Sequence, residues 1–136
     1  MSSRTDTDFR VHDGYVKFSS EIVRLALLSP TVFLLLVGIA GENVSREYYL
    51  ALLKPGLKTL AFGLVFMSLA IVFGFAHRYF AMDFMSNLIE TYRGKDRKTE
   101  LEVLKWLNLA TIILAPISLV IGASCMFVAL FRILGG

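Results

Sequence analysis

Residues 107–131 read LNLATIILAPISLVIGASCMFVALF, with no Asp, Glu, Lys, Arg or His among them. A hydrocarbon core about 30 Å thick is crossed by about 20 residues of helix. The run is continuous rather than alternating, so it reads as a transmembrane helix and not as a barrel strand. Two further uncharged runs have the same character. They are residues 25–41, LALLSPTVFLLLVGIAG, and residues 59–76, TLAFGLVFMSLAIVFGFA. Each reaches spanning length with its flanks, Ile22, Val23 and a snorkelling Arg24 for the first, Leu57 and Lys58 for the second.

The composition of the 136-residue chain agrees. Apolar residues make up 56% and charged ones 18%, with a mean hydropathy of +0.65. A soluble domain of this size needs more polar surface. The expected fold is an all-α integral membrane protein of three transmembrane helices. The second and third form a long antiparallel hairpin that projects into the cytoplasm. In chain order the expectation is a polar N-terminal segment over 1–19, a first span over 20–41 and an outer loop over 42–56. A second span over 57–76, the hairpin over 77–105 and a third span over 106–132 follow.

Orientation follows from the cations of the short flanks. Segments 1–24 and 77–106 hold Arg4, Arg10, Lys17 and Arg24, then Arg78, Arg93, Lys95, Arg97, Lys98 and Lys105. Only Arg46, Lys54, Lys58 and Arg132 fall on the other side. The N-terminus and the hairpin are therefore expected in the cytoplasm of a bacterial inner-membrane protein, with the C-terminus opposite. Arg78, Tyr79 and Trp106 stand at the inner edge as interfacial anchors, with Tyr15 near them. His77 is read with Arg78 as part of that edge. Tyr48 and Tyr49 fall in the opposite loop, where Ser45–Leu53 has the makings of two interfacial helical turns. The sequon Asn43-Val44-Ser45 lies too near the membrane edge to be read as a glycosylation site.

The first dozen residues are polar and aperiodic, so a mobile start is expected. The inner segment carries more pattern. Phe80, Phe84 and Leu88 recur at four-residue steps, beside a second stripe of Met85, Ile89 and Tyr92. Arg93-Gly94 supplies a helix stop. Thr99 with Glu102 fits a capping box that opens the third long helix. The hairpin should bury Phe84 and Leu88 against Leu101 and Leu104. Met85, Ile89 and Tyr92 are then left as contacts for a partner.

Signs of chemistry are few. The histidines, His12 and His77, have no cysteine pair or second histidine nearby in sequence, so neither a metal site nor a cofactor is expected. Asp83 and Glu90 share a helix face and read as solvated. There is no phosphate loop or nucleophile elbow. Cys125 is the lone cysteine and reads as a packing residue. The three spans carry no ionisable group, which argues against an ion-coupled transporter. They do carry small residues at packing intervals: Thr59, Gly63, Ala70 and Gly74 in the second, Ser118, Gly122, Cys125 and Ala129 in the third. Small side chains let helices approach closely in lipid. These residues are expected at contacts within the chain or in a homo-oligomer, and Pro116 should kink the third span.

The functional expectation is a small, non-enzymatic membrane subunit. It self-associates, or joins a larger membrane complex, or recruits a soluble cytoplasmic protein through the hairpin. The alternative is an oligomeric pore-former or membrane-permeabilising protein of the holin or antiviral-defence type. The basic residues flank apolar runs rather than forming a face, so nucleic acid is not an expected partner.

Overall fold

The computed structural model describes residues 2–42, 45–54 and 56–134, and among them it is entirely helical. Four helices follow in order: α1 (Ser2–Gly41), α2 (Arg46–Leu53), α3 (Leu57–Tyr92) and α4 (Lys98–Leu134). Three of them, α1, α3 and α4, are long and apolar enough to cross a membrane. At 1.5 Å per residue, the 36 residues of α3 span about 54 Å. That is well beyond the thickness of a hydrocarbon core.

The long helices form a bundle in which α3 and α4 pack along most of their length and α1 lies against both. On α3 the buried positions are Gly63, Met67, Ala70, Gly74, His77 and Ala81. They alternate steps of four and three, the 3.5-residue period of helices that wind together. The facing positions of α4 keep the same rhythm through Leu104, Thr111, Ala115, Ser118 and Gly122. Small residues on this seam bring the backbones together. A methyl group on Gly63 would stand 2.8 Å from Met126 Cγ and 3.2 Å from Gly122 O. One on Gly122 would stand 3.1 Å from Gly63 O and from Met67. On the other side of α3, a methyl group on Gly74 would run into the side chain of Val23. Ile22, Ala26, Phe33 and Val37 carry α1 into the shared core with Met67, Ala115, Met126 and Ile133.

The connections follow local rules. Ser45 caps α2, its hydroxyl accepting from the Tyr48 amide at 3.4 Å. Gly56 precedes α3 and is buried against Ile133 and Ala129. Helix α3 ends in a Schellman motif. The Lys95 amide donates to Glu90 O at 3.2 Å and the Gly94 amide to Thr91 O at 3.0 Å. Gly94 takes φ +89°, a conformation that favours glycine. Pro30 and Pro116 both sit inside continuous helices.

Two expectations change. The N-terminal segment, which has no helical period in its sequence, is nonetheless helical, because α1 already runs from Ser2. Its reach over the hairpin gives it a tertiary partner, which a polar sequence does not announce. Thr99 is not a cap either. Helix α4 opens at Lys98, one residue earlier. Arg97 pairs with Glu100 at 2.6 Å across that first turn, and the Leu101 amide donates to Arg97 O at 3.0 Å. Asn43, Val44 and Pro55 lie outside the described residues, as do the side chains of Tyr49 and Leu52.

Candidate functional site

At the tip of the α3–α4 hairpin, Glu90 receives Lys95 at 3.1 Å and Arg97 at 3.3 Å. Arg97 also holds Glu100. The hydrogen bond and charge of Lys95, with Arg97 adding to them, hold the Glu90 carboxyl below its ordinary 4.5. Glu100 first, then Glu90, raise the Arg97 guanidinium. The network ties the two helix ends across the turn. Exposed ion pairs of this kind stabilise little individually, so the tip orders the connection and carries no evident chemistry.

Below the tip, the hairpin has one covered and one open side. Phe84 stacks against His12 of α1, with ring centroids 5.9 Å apart. Leu104 is buried, and Phe84, Leu88 and Leu101 are half-buried, as a helix pair closed on one stripe requires. The second stripe stays open at its distal end. Ile89 is 41% exposed and Tyr92 56%. Met85 is half-buried, so it is a weaker candidate contact than its spacing implies. Met82, which the stripes pass over, is 74% exposed. Arg78, Tyr79 and Trp106 all face outward. Asp83 and Glu90 do not share a site. Glu90 joins the tip, while Asp83 lines a shallow hollow with Asn87 and Thr99.

The small residues proposed for packing or self-association lie inside one chain. Gly63, Ala70, Gly74, Ser118, Gly122 and Ala129 are buried between its own helices, and Cys125 is half-buried. Thr59 accepts a hydrogen bond from Arg132 at 3.1 Å, tying α3 to α4 at the opposite end.

His77 corrects the sequence reading. It is not an edge residue beside Arg78 but a seam residue, only 2% exposed. It continues the seven-residue series Gly63, Ala70, His77, Phe84. That spacing was present in the sequence, masked because the neighbouring faces are apolar too. Nor is it remote from His12. The two rings, 65 positions apart in the chain, line one cavity of about 260 Å³ with Phe84, Asn108 and Ile112. His12 Nε2 donates to Ala81 O at 2.9 Å, which fastens α1 to α3. Asn108 Nδ2 donates to Phe80 O at 3.3 Å, which fastens α4 to α3.

The tautomer of His77 follows from its neighbours. Nδ1 lies 3.3 Å from Asn108 O and 3.4 Å from Thr111 Oγ1. The Thr111 hydroxyl itself donates to Leu107 O at 2.8 Å. Both groups near Nδ1 are thus acceptors, so the neutral ring carries its proton there. Nε2 is then a bare acceptor. Among the described residues it has no protein partner, and neither has Asn108 Oδ1. Buried polar atoms without partners are uncommon, and here two acceptors belong to side chains lining the same cavity. No group of three or more metal-ligating side chains is gathered among the described residues. Comparison of the chain with protein-family models, with curated proteins and with solved structures finds no match.

Proposed function

We propose that the chain is a non-enzymatic membrane protein. It is inserted through α1, α3 and α4 with the hairpin end in the cytoplasm, and it works by presenting that end to a soluble protein. The observation that carries this reading is the exposure of Met82, Ile89 and Tyr92 on a helix too long for the bilayer. If the second span occupies 57–76, sixteen residues of α3 stand beyond it, about 24 Å of helix. Apolar side chains at that height are out of reach of hydrocarbon and gain by being covered. The ten cations of segments 1–24 and 77–106 support a cytoplasmic placement.

The pore reading has weaker support. Its motives are the small size, the three spans, their lack of charge and the small-residue stripes, and of these the last is weakened because the stripe residues are occupied by contacts within the chain. The test replaces Ile89 and Tyr92 together with Ser. The expected result is a protein that still inserts and unfolds like the parent but no longer co-purifies with its partner. A double variant that keeps its partner and its phenotype would reduce the hairpin to a connector.

A further inference from the structure

His77 lies under α1 as well as between α3 and α4. One turn before it, a methyl group on Gly74 would run into Val23 and stand 3.5 Å from Ser19 O of α1. One turn after it, Ala81 O accepts from His12. Helix α1 therefore passes over His77 with the residues between 12 and 19, and the ring is buried beneath it. Its two nitrogens are unlike. The Nδ1 proton goes to Asn108 O at 3.3 Å. Nε2 is closed to solvent and, among the described residues, has no hydrogen-bond partner. Asn108 Oδ1 does not reach it, and the Asn108 amide is fixed by the bond from Nδ2 to Phe80 O.

A proton added at Nε2 would thus meet neither an acceptor nor water, and a charge buried in that way is disfavoured. The surrounding groups do not relieve it. His12 and Tyr15 face it from α1 and Lys105 from α4, and no carboxylate lines the cavity they share. Asp13 and Lys17 of α1 pair with each other in solvent, and Glu102 of α4 is exposed. On α3 itself, Arg78 is exposed and Asp83 lines a different hollow. His77 is the first residue after the second uncharged run. Burial holds its imidazole below the ordinary 6.5, against the bond to Asn108 O and with the His12 charge adding to the effect.

We propose that His77 is the trigger of an acid-sensitive latch that holds the N-terminal part of α1 on the α3–α4 hairpin. Docking is strongest above pH 6.5, where the ring is neutral in both states. As pH falls from 6.5 toward the lower value of the docked ring, the undocked state takes up a proton that the docked state refuses, and the equilibrium moves toward release. Release uncovers Ala81 and Phe84, the two residues that His12 holds. The α3–α4 seam stays closed through Gly63 and Gly122. None of these side chains is Ile89 or Tyr92, so the latch stands or falls separately from partner docking. The carboxyl of Glu90 at the tip titrates below 4.5, outside this window.

The test is amide exchange of the full chain in detergent, corrected for its intrinsic pH dependence and compared between about pH 7.5 and about pH 5.5. Protection at residues 12–20 should fall by up to about tenfold per pH unit below 6.5, the limit for one proton. Protection at residues 115–130 should hold. Constant protection at 12–20 would overturn the proposal. So would an equal fall at 115–130, which would mean that the whole bundle yields to acid. His77→Phe and His77→Gln do not titrate, and at least one of them should hold its protection at 12–20 across the range. A fall that persists in both would place the sensor elsewhere. The chain has only two histidines, so NMR of 13C-labelled histidine follows both rings in the parent protein, with His12→Gln assigning the signals. His77 should take up its proton below 6.5, together with the loss of protection. A His77 ring that titrates at 6.5 or above would overturn the latch even where a variant fails to fold.

Discussion

Gly63 and Gly122 face one another across α3 and α4 with less room than a methyl group needs. Replacing Gly122 with Leu forces the two backbones apart and should cost about 1–3 kcal/mol. Thermal unfolding in detergent, followed by circular dichroism, checks this. An unchanged midpoint would show that the seam does not hold the pair. Gly14 is the opposite case. Nothing lies within 4 Å of the position a methyl group would take, and it sits in the exposed part of α1. Gly14→Ala should therefore stabilise α1 by roughly 1 kcal/mol through helix propensity alone. Slower amide exchange over residues 10–20 is the expected readout. Sequence spacing picks out Gly63, Gly74 and Gly122 as packing residues, because glycines at helical intervals in lipid-length runs have few other uses. It does not pick out His77, since a histidine next to Arg78 at the end of an apolar run looks like a membrane flank. Only the seven-residue series that includes Gly63 and Ala70 reveals it as inward-facing.

Among the elements, the α3–α4 turn is the most closely specified. Gly94 holds φ +89° in the Schellman motif, and an alanine there would be strained by about 1 kcal/mol or more. Gly94→Ala should speed proteolysis at residues 93–97 while leaving the spans protected. The tip is also pH-sensitive. Glu90 has its carboxyl lowered chiefly by Lys95, so its contribution to order is complete above 4.5 and is lost as pH falls through the lower folded value. Protection at the tip, corrected for the intrinsic pH dependence of amide exchange, should fall as pH drops below 4.5, and Glu90→Gln should remove most of that dependence. The glycine stop was legible because Arg93-Gly94 follows a periodic stripe. The start of α4 was not. The Thr99–Glu102 pattern satisfies the capping rule, yet the Arg97–Glu100 pair at 2.6 Å extends the helix to Lys98. The helical start of α1 was not legible either, because its support comes from Ala81 and Phe84, far away in the chain.

At the scale of the whole molecule, three helices are long and apolar enough to cross a membrane, and if each crosses once, residues 1 and 136 lie on opposite faces. A reporter active only in the cytoplasm should work when fused at residue 1 and fail when fused at residue 136, as the cation count orients the chain. Matching signals at both ends would rule out three crossings. The three-helix count was readable from the uncharged runs alone, since no other use of such runs is common. How the helices divide their faces was not readable. Every face of every span is apolar, so hydrophobicity does not separate core from exterior. Smallness and seven-residue spacing separate them instead.

The contact between His12 and Ala81 joins residues 69 positions apart. A ribosome must therefore make most of the chain before the first helix meets the surface it lies on. Until Ala81 and Phe84 emerge, the N-terminal half of α1 has only its own backbone and the lipid surface for company. The α3–α4 pair, joined by a turn of a few residues, closes as soon as it is made. Helix α4 starts only at Lys98, so α1 can dock on α3 while α4 is still being made, and the α3–α4 pair closes last.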